Sequence, residues 1–336
     1  MGIVGFEKPI VSDQEVEIIA QQYSSSLVKS VDYAGGIPNV TFIVRFESED
    51  PIAIRICNLG YTHPNHLKFE VDVLLYLERT YFKWSPRLIP LICGTGWIGA
   101  WEKFPVIATK AIAGITCDQL YASPNLCVEI GKAIGEMRCL LSKYPGHIPP
   151  NEDFWTRAER VLNDLKNYVI QQSWNVDSSM VTSTFRRAKD IVCTKIYTDE
   201  VLHGDVWPSN VLAHDGRLSG IIDFDDLTVG PSILDLSIAI GEFGFDRKSD
   251  IFLDCNVSSM IQGYRQFMGP FSYEACSLIL ALIEASYCYW LATNAMHSAP
   301  YSETDIYYRR INYLQNPSER KQLEKKLLNA ISNADK

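Results

Sequence analysis

Behind Ser12-Asp13-Gln14-Glu15, apolar residues recur every three or four positions, at Val16, Ile19, Ala20 and Tyr23. A serine and a glutamate three apart at the head of that period predict a capped amphipathic helix. Three runs rich in β-branched and aromatic residues follow at 27–33, 40–46 and 51–57, and they predict strands. Ala34-Gly35-Gly36-Ile37-Pro38-Asn39 supplies turn residues between the first two, and Ser48-Glu49-Asp50 between the next two. The period then lengthens over 66–79, with Leu67, Val71, Leu74 and Leu77 on one helical stripe. Glu70 falls on that same stripe. A carboxylate on an apolar face requires a partner, and Arg55 in the third strand is the candidate. Runs at 88–93 and 105–110 complete a predicted five-stranded antiparallel sheet with one helix.

From residue 112 onward the pattern turns helical. Ser123-Pro124 reads as a cap with proline at the first helical position, ahead of Leu126, Ile130, Ala133, Ile134, Met137 and Leu141. Further helical periods cover 153–172, 180–193, 233–242, 251–267, 273–293 and 318–332, interrupted by strand-like sequence at 201–226. The expectation is an α+β chain: a sheet-rich lobe over 1–110, a hinge at 111–115, and a larger helical lobe over 116–336.

Composition narrows the function classes. The 336 residues are 47% apolar and 21% charged, as in ordinary globular proteins. A formal charge of −9 argues against nucleic acid as a partner, because phosphate binding requires a basic face. No uninterrupted apolar run approaches the ~18 residues of a membrane span. The first residues lack the features of a secretory signal, and Phe6 stands where a myristoylation motif has Ser or Thr. Nine scattered cysteines without a CxxC pair read as buried hydrophobes in a reducing cytoplasm.

The segment that carries chemistry is Val201-Leu202-His203-Gly204-Asp205-Val206-Trp207-Pro208-Ser209-Asn210-Val211-Leu212, with Asp223 thirteen residues after Asn210 in Ile221-Ile222-Asp223-Phe224-Asp225-Asp226. Protein kinases show the same order: His-x-Asp, four residues, Asn, then a metal-binding Asp after a strand. Phosphoryl transfer needs positioning and charge neutralisation more than covalent help. A short loop lets Asp205 reach a hydroxyl while Asn210 offers an amide oxygen to Mg²⁺. A hairpin turning at Asp215-Gly216 brings Asp223 back as a second oxygen ligand.

These residues resemble the aminoglycoside phosphotransferase and choline kinase superfamily, whose hallmark is HGDxxxxN followed by a strand ending in IDFxD. The resemblance spans about residues 25–295 and implies a protein-kinase-like bilobal fold using ATP and Mg²⁺. It implies that Asp205 is the catalytic base or hydroxyl orienter and that Asn210 and Asp223 hold the metal. Arg55 and Glu70 take the places of the phosphate-anchoring cation and its helix partner, and Asp235 braces the catalytic loop near His203. The cation is Arg where Lys is usual, and the loop at Gly35 and Gly36 is not GxGxxG. Asp225 is a further candidate for metal binding.

Only eleven residues separate Asp223 from Asp235, too few for the activation segment of a protein-directed kinase, and no GxxxxGK[ST] string occurs. A small-molecule hydroxyl acceptor remains. The chain is most similar to the homoserine kinase type II and hydroxylysine kinase branch, which implies an acceptor carrying an amine. An antibiotic or natural-product O-phosphotransferase and an inactive nucleotide-binding pseudokinase are the alternatives. Candidate acceptor residues are Glu152, Asp153, Trp155, Trp207, Asp226, Glu242, Glu284, Tyr287 and Trp290. Glu284, Tyr287 and Trp290 share a helix face at i, i+3 and i+6, where charge and ring could meet an ammonium.

Overall fold

A computed structural model describes residues 9–36, 39–58, 63–120, 122–150, 152–194, 198–246, 249–271, 274–297 and 301–334. Ile37 and Pro38 of the first predicted turn, and Tyr273 at a predicted helix start, lie outside them. The chain forms two compact units, residues 1–113 with 146–149, and residues 114–145 with 150–336.

In the first unit, α1 (Asp13–Ala20) opens on the expected capping box, Ser12 and Glu15 each bonding the other's backbone. The strands are β1 (Val28–Gly35), β2 (Val40–Phe46) and β3 (Ile52–Ile56), followed by α2 (Pro64–Arg79), β4 (Ile98–Trp101) and β5 (Phe104–Lys110). They form one antiparallel sheet in the order β1-β2-β3-β5-β4. Val16, Ile19, Val44, Ile54, Ile56 and Val106 are fully buried and form the core between α1 and the sheet.

The strand expected at 88–93 is corrected: the fifth strand is β4. Lys110 N–H donates to Arg87 O and Ile89 N–H to Ala108 O, each at 2.8 Å, so pairing with β5 begins there. Pro90 has no N–H to continue it, and the chain turns back to place 98–101 at the edge. Residues just after α1 bond that edge strand. The Gln22 side chain both donates to Ala100 O (2.9 Å) and accepts from its N–H (3.2 Å), and the Tyr23 hydroxyl accepts Gly99 N–H at 2.9 Å. Polar side chains thereby satisfy backbone groups that a bare edge exposes.

The second unit opens with β6 (Ile115–Thr116), α3 (Pro124–Leu141), α4 (Phe154–Asn163), α5 (Leu165–Gln171) and α6 (Ser178–Cys193). Then come β7 (Asp199–Leu202), β8 (Val211–His214), β9 (Arg217–Ile221) and β10 (Thr228–Pro231). It closes with α7 (Leu234–Phe243), α8 (Asp254–Met268), α9 (Ala275–Met296), α10 (Tyr301–Gln315) and α11 (Pro317–Asn333). The single helix expected over 153–172 is two, broken at Asp164. That residue ends α4, and its carbonyl accepts the Asn167 and Tyr168 N–H groups at the start of α5. The sequence pattern did not disclose α10, because Arg310 sits on its buried stripe beside Ile306, Tyr307, Ile311 and Leu314. By length and hydropathy α9 is capable of crossing a membrane, yet 89% of its apolar window is buried in the protein, as in a core helix.

Candidate active site

The site is built where β7 ends. Antiparallel pairing of β7 with β10 sets Leu202 opposite Thr228, and α7 begins six residues later with Asp235 in its first turn. The buried Asp235 carboxylate accepts His203 N–H at 3.0 Å and Gly204 N–H at 2.8 Å. Burial lifts its pKa to about 6 despite those two bonds. His203 Nδ1 accepts Asp205 N–H at 3.2 Å, so Nε2 carries the ring proton and donates to Ile222 O at 3.1 Å. Burial keeps this ring neutral, with its pKa pushed down to about 4. Asp235 and His203 thus hydrogen-bond the backbone on either side of Gly204 and at Ile222.

Gly204 adopts φ +82°, and a Cβ there would lie 2.3 Å from Asp226 O. The glycine of H-G-D is thus dictated by a carbonyl packed onto it. Beyond it, residues 208–210 make a 3₁₀ turn, and Asn210 Nδ2 donates to Asp205 Oδ2 at 2.6 Å and to Asp205 O at 3.1 Å. The nitrogen end of the amide faces Asp205, which directs the oxygen end elsewhere. Ile222 N–H donates to Asn210 O at 2.8 Å, tying this loop to the second one.

That second loop follows the β8–β9 hairpin, in which Val211 pairs with Ile221. Asp223 takes the left-handed conformation (φ 66°, ψ 67°), costly for a residue with a side chain and common at functional sites. It is solvent-exposed, while Asp225 and Asp226 in the following turn are buried. The Asp205 carboxyl titrates well above the ordinary range: burial is the main cause, then the charges of Asp226, Asp223 and Asp225, with the Asn210 bond opposing. Four carboxylates so close require a proton or a cation. Among the described residues no group of three His, Cys, Asp or Glu is arranged to hold a metal. The donor set at hand is an amide and a carboxylate oxygen, which suits a hard ion such as Mg²⁺ that keeps waters and phosphate oxygens.

The other expected residues are scattered. Trp207 lies half-buried in the catalytic loop. Asp226 is ion-paired with Arg157 of α4, a residue the sequence pattern did not single out, since 69 positions separate the two. Glu284 is fully buried, but it faces Arg187 (2.9 Å) and Arg320 rather than an open pocket. The Tyr287 hydroxyl donates to Gly241 O at 2.6 Å and accepts from Arg310 at 3.2 Å. Glu242 pairs with Arg310. Glu284, Tyr287 and Glu242, expected to meet an ammonium, each face an arginine of the same unit. Trp290 stacks edge-on with Tyr289, ring centres 4.9 Å apart. Asp153 caps α4, and Glu152 O accepts from Thr228 and Val229.

In the first unit, Arg55 and Glu70 are ion-paired, with side chains 11% and 2% exposed. Gly35 and Gly36 both have positive φ, and a Cβ on Gly36 would meet Asn39 O at 2.5 Å, so the turn itself accounts for the second glycine.

The profile of the phosphotransferase enzyme family matches residues 31–254. Homoserine kinase of Gluconobacter oxydans is 25% identical over 64% of this chain and 69% of its own length. Hydroxylysine kinase of Bos taurus is 25% identical over 55% of this chain and 51% of its own. Among solved structures, an amicoumacin kinase in complex with AMP-PNP, Ca²⁺ and Ami superposes with a TM-score of 0.72 at 16% identity, covering 94% of each chain.

Proposed function

We propose, from the premise that the chain belongs to the phosphotransferase enzyme family, that it moves the terminal phosphoryl group of ATP to a hydroxyl of a small amine-bearing molecule such as homoserine or an amino alcohol. The observation that carries this reading is the 2.6 Å bond between Asn210 and Asp205 on a loop braced by Asp235 and His203. It fixes a carboxylate and an amide side by side, as the chemistry requires.

In this reading Asp205 orients the acceptor hydroxyl and takes its proton as the oxygen attacks the γ-phosphorus. The bond from that phosphorus to the β–γ bridging oxygen breaks, and ADP leaves. The raised pKa of Asp205 suits it to hold that proton. Asn210 and Asp223 would hold Mg²⁺, which supplies charge neutralisation for the transferring group when bound. Arg55, its rotamer fixed by Glu70, would anchor a nucleotide phosphate. The amine-bearing acceptor is supported by the homoserine and hydroxylysine kinase relatives. All nine cysteines are free, which supports a cytoplasmic setting.

The test is ADP release on a panel of amino alcohols, hydroxylated amino acids and aminoglycosides with Mg²⁺-ATP. Acceptor-dependent turnover with homoserine or an amino alcohol supports the reading. Turnover on aminoglycosides alone transfers it to antibiotics, and no turnover on any member removes it.

A further inference from the structure

Arg157 has no place in the motifs that mark this family's chemistry, yet it reaches into the site. One guanidinium nitrogen, Nη1, donates to Asp226 O and to Leu227 O, each at 3.1 Å. The other, Nη2, donates to the Asp226 carboxylate and, at 3.5 Å, to the Tyr289 hydroxyl of α9. Four acceptors thus occupy the four terminal N–H bonds of the fork, and the side chain is 17% exposed. A guanidinium so filled does not bind substrate; it fixes what it holds.

What it holds matters because of Gly204. The carbonyl gripped by Nη1 is the one that a Cβ on Gly204 would meet at 2.3 Å, and Gly204 is the residue before Asp205. Asp235 holds the same glycine through its N–H, at 2.8 Å. The backbone leading into Asp205 is therefore held by Asp235 and packed against a carbonyl that Arg157 grips. Phe154, one turn earlier on α4, packs edge-on against Tyr289 at 5.8 Å, which stiffens the base from which Arg157 projects.

We propose that Arg157 is a positioning residue for Asp205, acting through the Asp226 carbonyl and Gly204. It rests on the kinase reading for its catalytic readout, and on the geometry alone for its structural one. Lysine offers a single ammonium that cannot span two carbonyls and a carboxylate in the plane of a fork, so R157K tests the geometry while keeping the charge.

The experiment compares wild type, R157K and R157A by steady-state kinetics and by hydrogen–deuterium exchange of the intact protein. In R157A, kcat should fall about 10²-fold, the scale of a 1 Å misplacement of a reacting group, with KM for ATP within about threefold. R157K should lose at least about tenfold. In both variants peptides covering 203–210 and 222–228 should exchange faster, while those of α8 and α11 are unchanged. A kcat within threefold of wild type together with unchanged exchange at 203–210 would overturn the proposal. So would faster exchange throughout the second unit, which marks a general structural role. A wild type that phosphorylates no acceptor, yet loosens at 203–210 on loss of Arg157, would sink the kinase reading and leave this one standing.

Discussion

At the scale of single residues, the site works by making buried charges depend on one another. Asp205 is 8% exposed and lies near the charges of Asp226, Asp223 and Asp225, so burial and those neighbours raise its pKa well above the ordinary range. Asp205→Asn keeps the shape and removes the proton acceptor; kcat should drop by about 10³-fold or more while KM for ATP moves little. An unchanged kcat would falsify the assigned role. His203 gives a pH test. Its ring stays neutral in the fold until about pH 4, whereas the unfolded chain binds the proton near the ordinary 6.5. Falling pH therefore favours the unfolded state across that window, by about 3 kcal/mol in total. Asp235 acts oppositely: its folded carboxyl binds a proton near 6 and its unfolded one near 3.8, so acid adds stability over much the same range. The wild-type curve alone masks both. His203→Gln isolates the first, and its stability deficit against wild type should shrink by about 3 kcal/mol between pH 6.5 and 4 in urea midpoints. Asp205, Asn210 and Asp223 were legible in the sequence because their meeting is local, made by one turn and one hairpin. Arg157 was not, because no local pattern links α4 to a loop 69 residues away.

At the scale of elements, α3 and α8 approach until backbone touches backbone. A Cβ on Gly131 would lie 1.9 Å from Met260 O, and one on Gly263 would lie 2.0 Å from Val128 O. On an exposed helix, Gly→Ala stabilises by about 1 kcal/mol; here the sign reverses, because the helices must separate to admit the methyl. Gly263→Ala should cost about 2 kcal/mol or more, read as a lower denaturant midpoint. A variant more stable than wild type would contradict the packing. Helices with apolar stripes were foreseen, since 3.6-residue periodicity is a property of the strand of sequence itself. The placement of β4 was not: 88–93 has the composition of a strand, but Pro90 stops its ladder and register with β5 passes to 98–101. The break at Asp164 was equally hidden, an aspartate being as able to interrupt a helix as to decorate it.

At the scale of the whole molecule, the family match ends at residue 254, and α9, α10 and α11 follow it. Buried ion pairs fasten these helices to the rest of their unit. Glu284 of α9 meets Arg187 of α6 and Arg320 of α11. Arg310 of α10 meets Glu242 of α7 and Asp250. Removing one partner leaves its counter-charges unmatched. Arg187 and Arg320 retain some exposure, 44% and 20%, so they can rehydrate. Glu284→Gln should cost about 2–3 kcal/mol of stability, less than a fully enclosed pair, with kcat and acceptor KM of the folded enzyme within about twofold of wild type. A tenfold rise in acceptor KM at unchanged stability would instead return Glu284 to the acceptor site.

The sequence alone determined the α+β class, the order of most elements, the hairpin that follows Asn210 and the pairing of Arg55 with Glu70, because each follows from periodicity, turn chemistry or a charge on an apolar stripe. Tertiary structure alone decided which strand closes the sheet, which arginine clasps the Asp226 loop, and that Glu284 and Tyr287 face arginines. Those outcomes depend on which distant side chains meet once the backbone is folded. A buried glutamate looks the same in sequence whether its counter-ion is a ligand's ammonium or a guanidinium carried in on another helix.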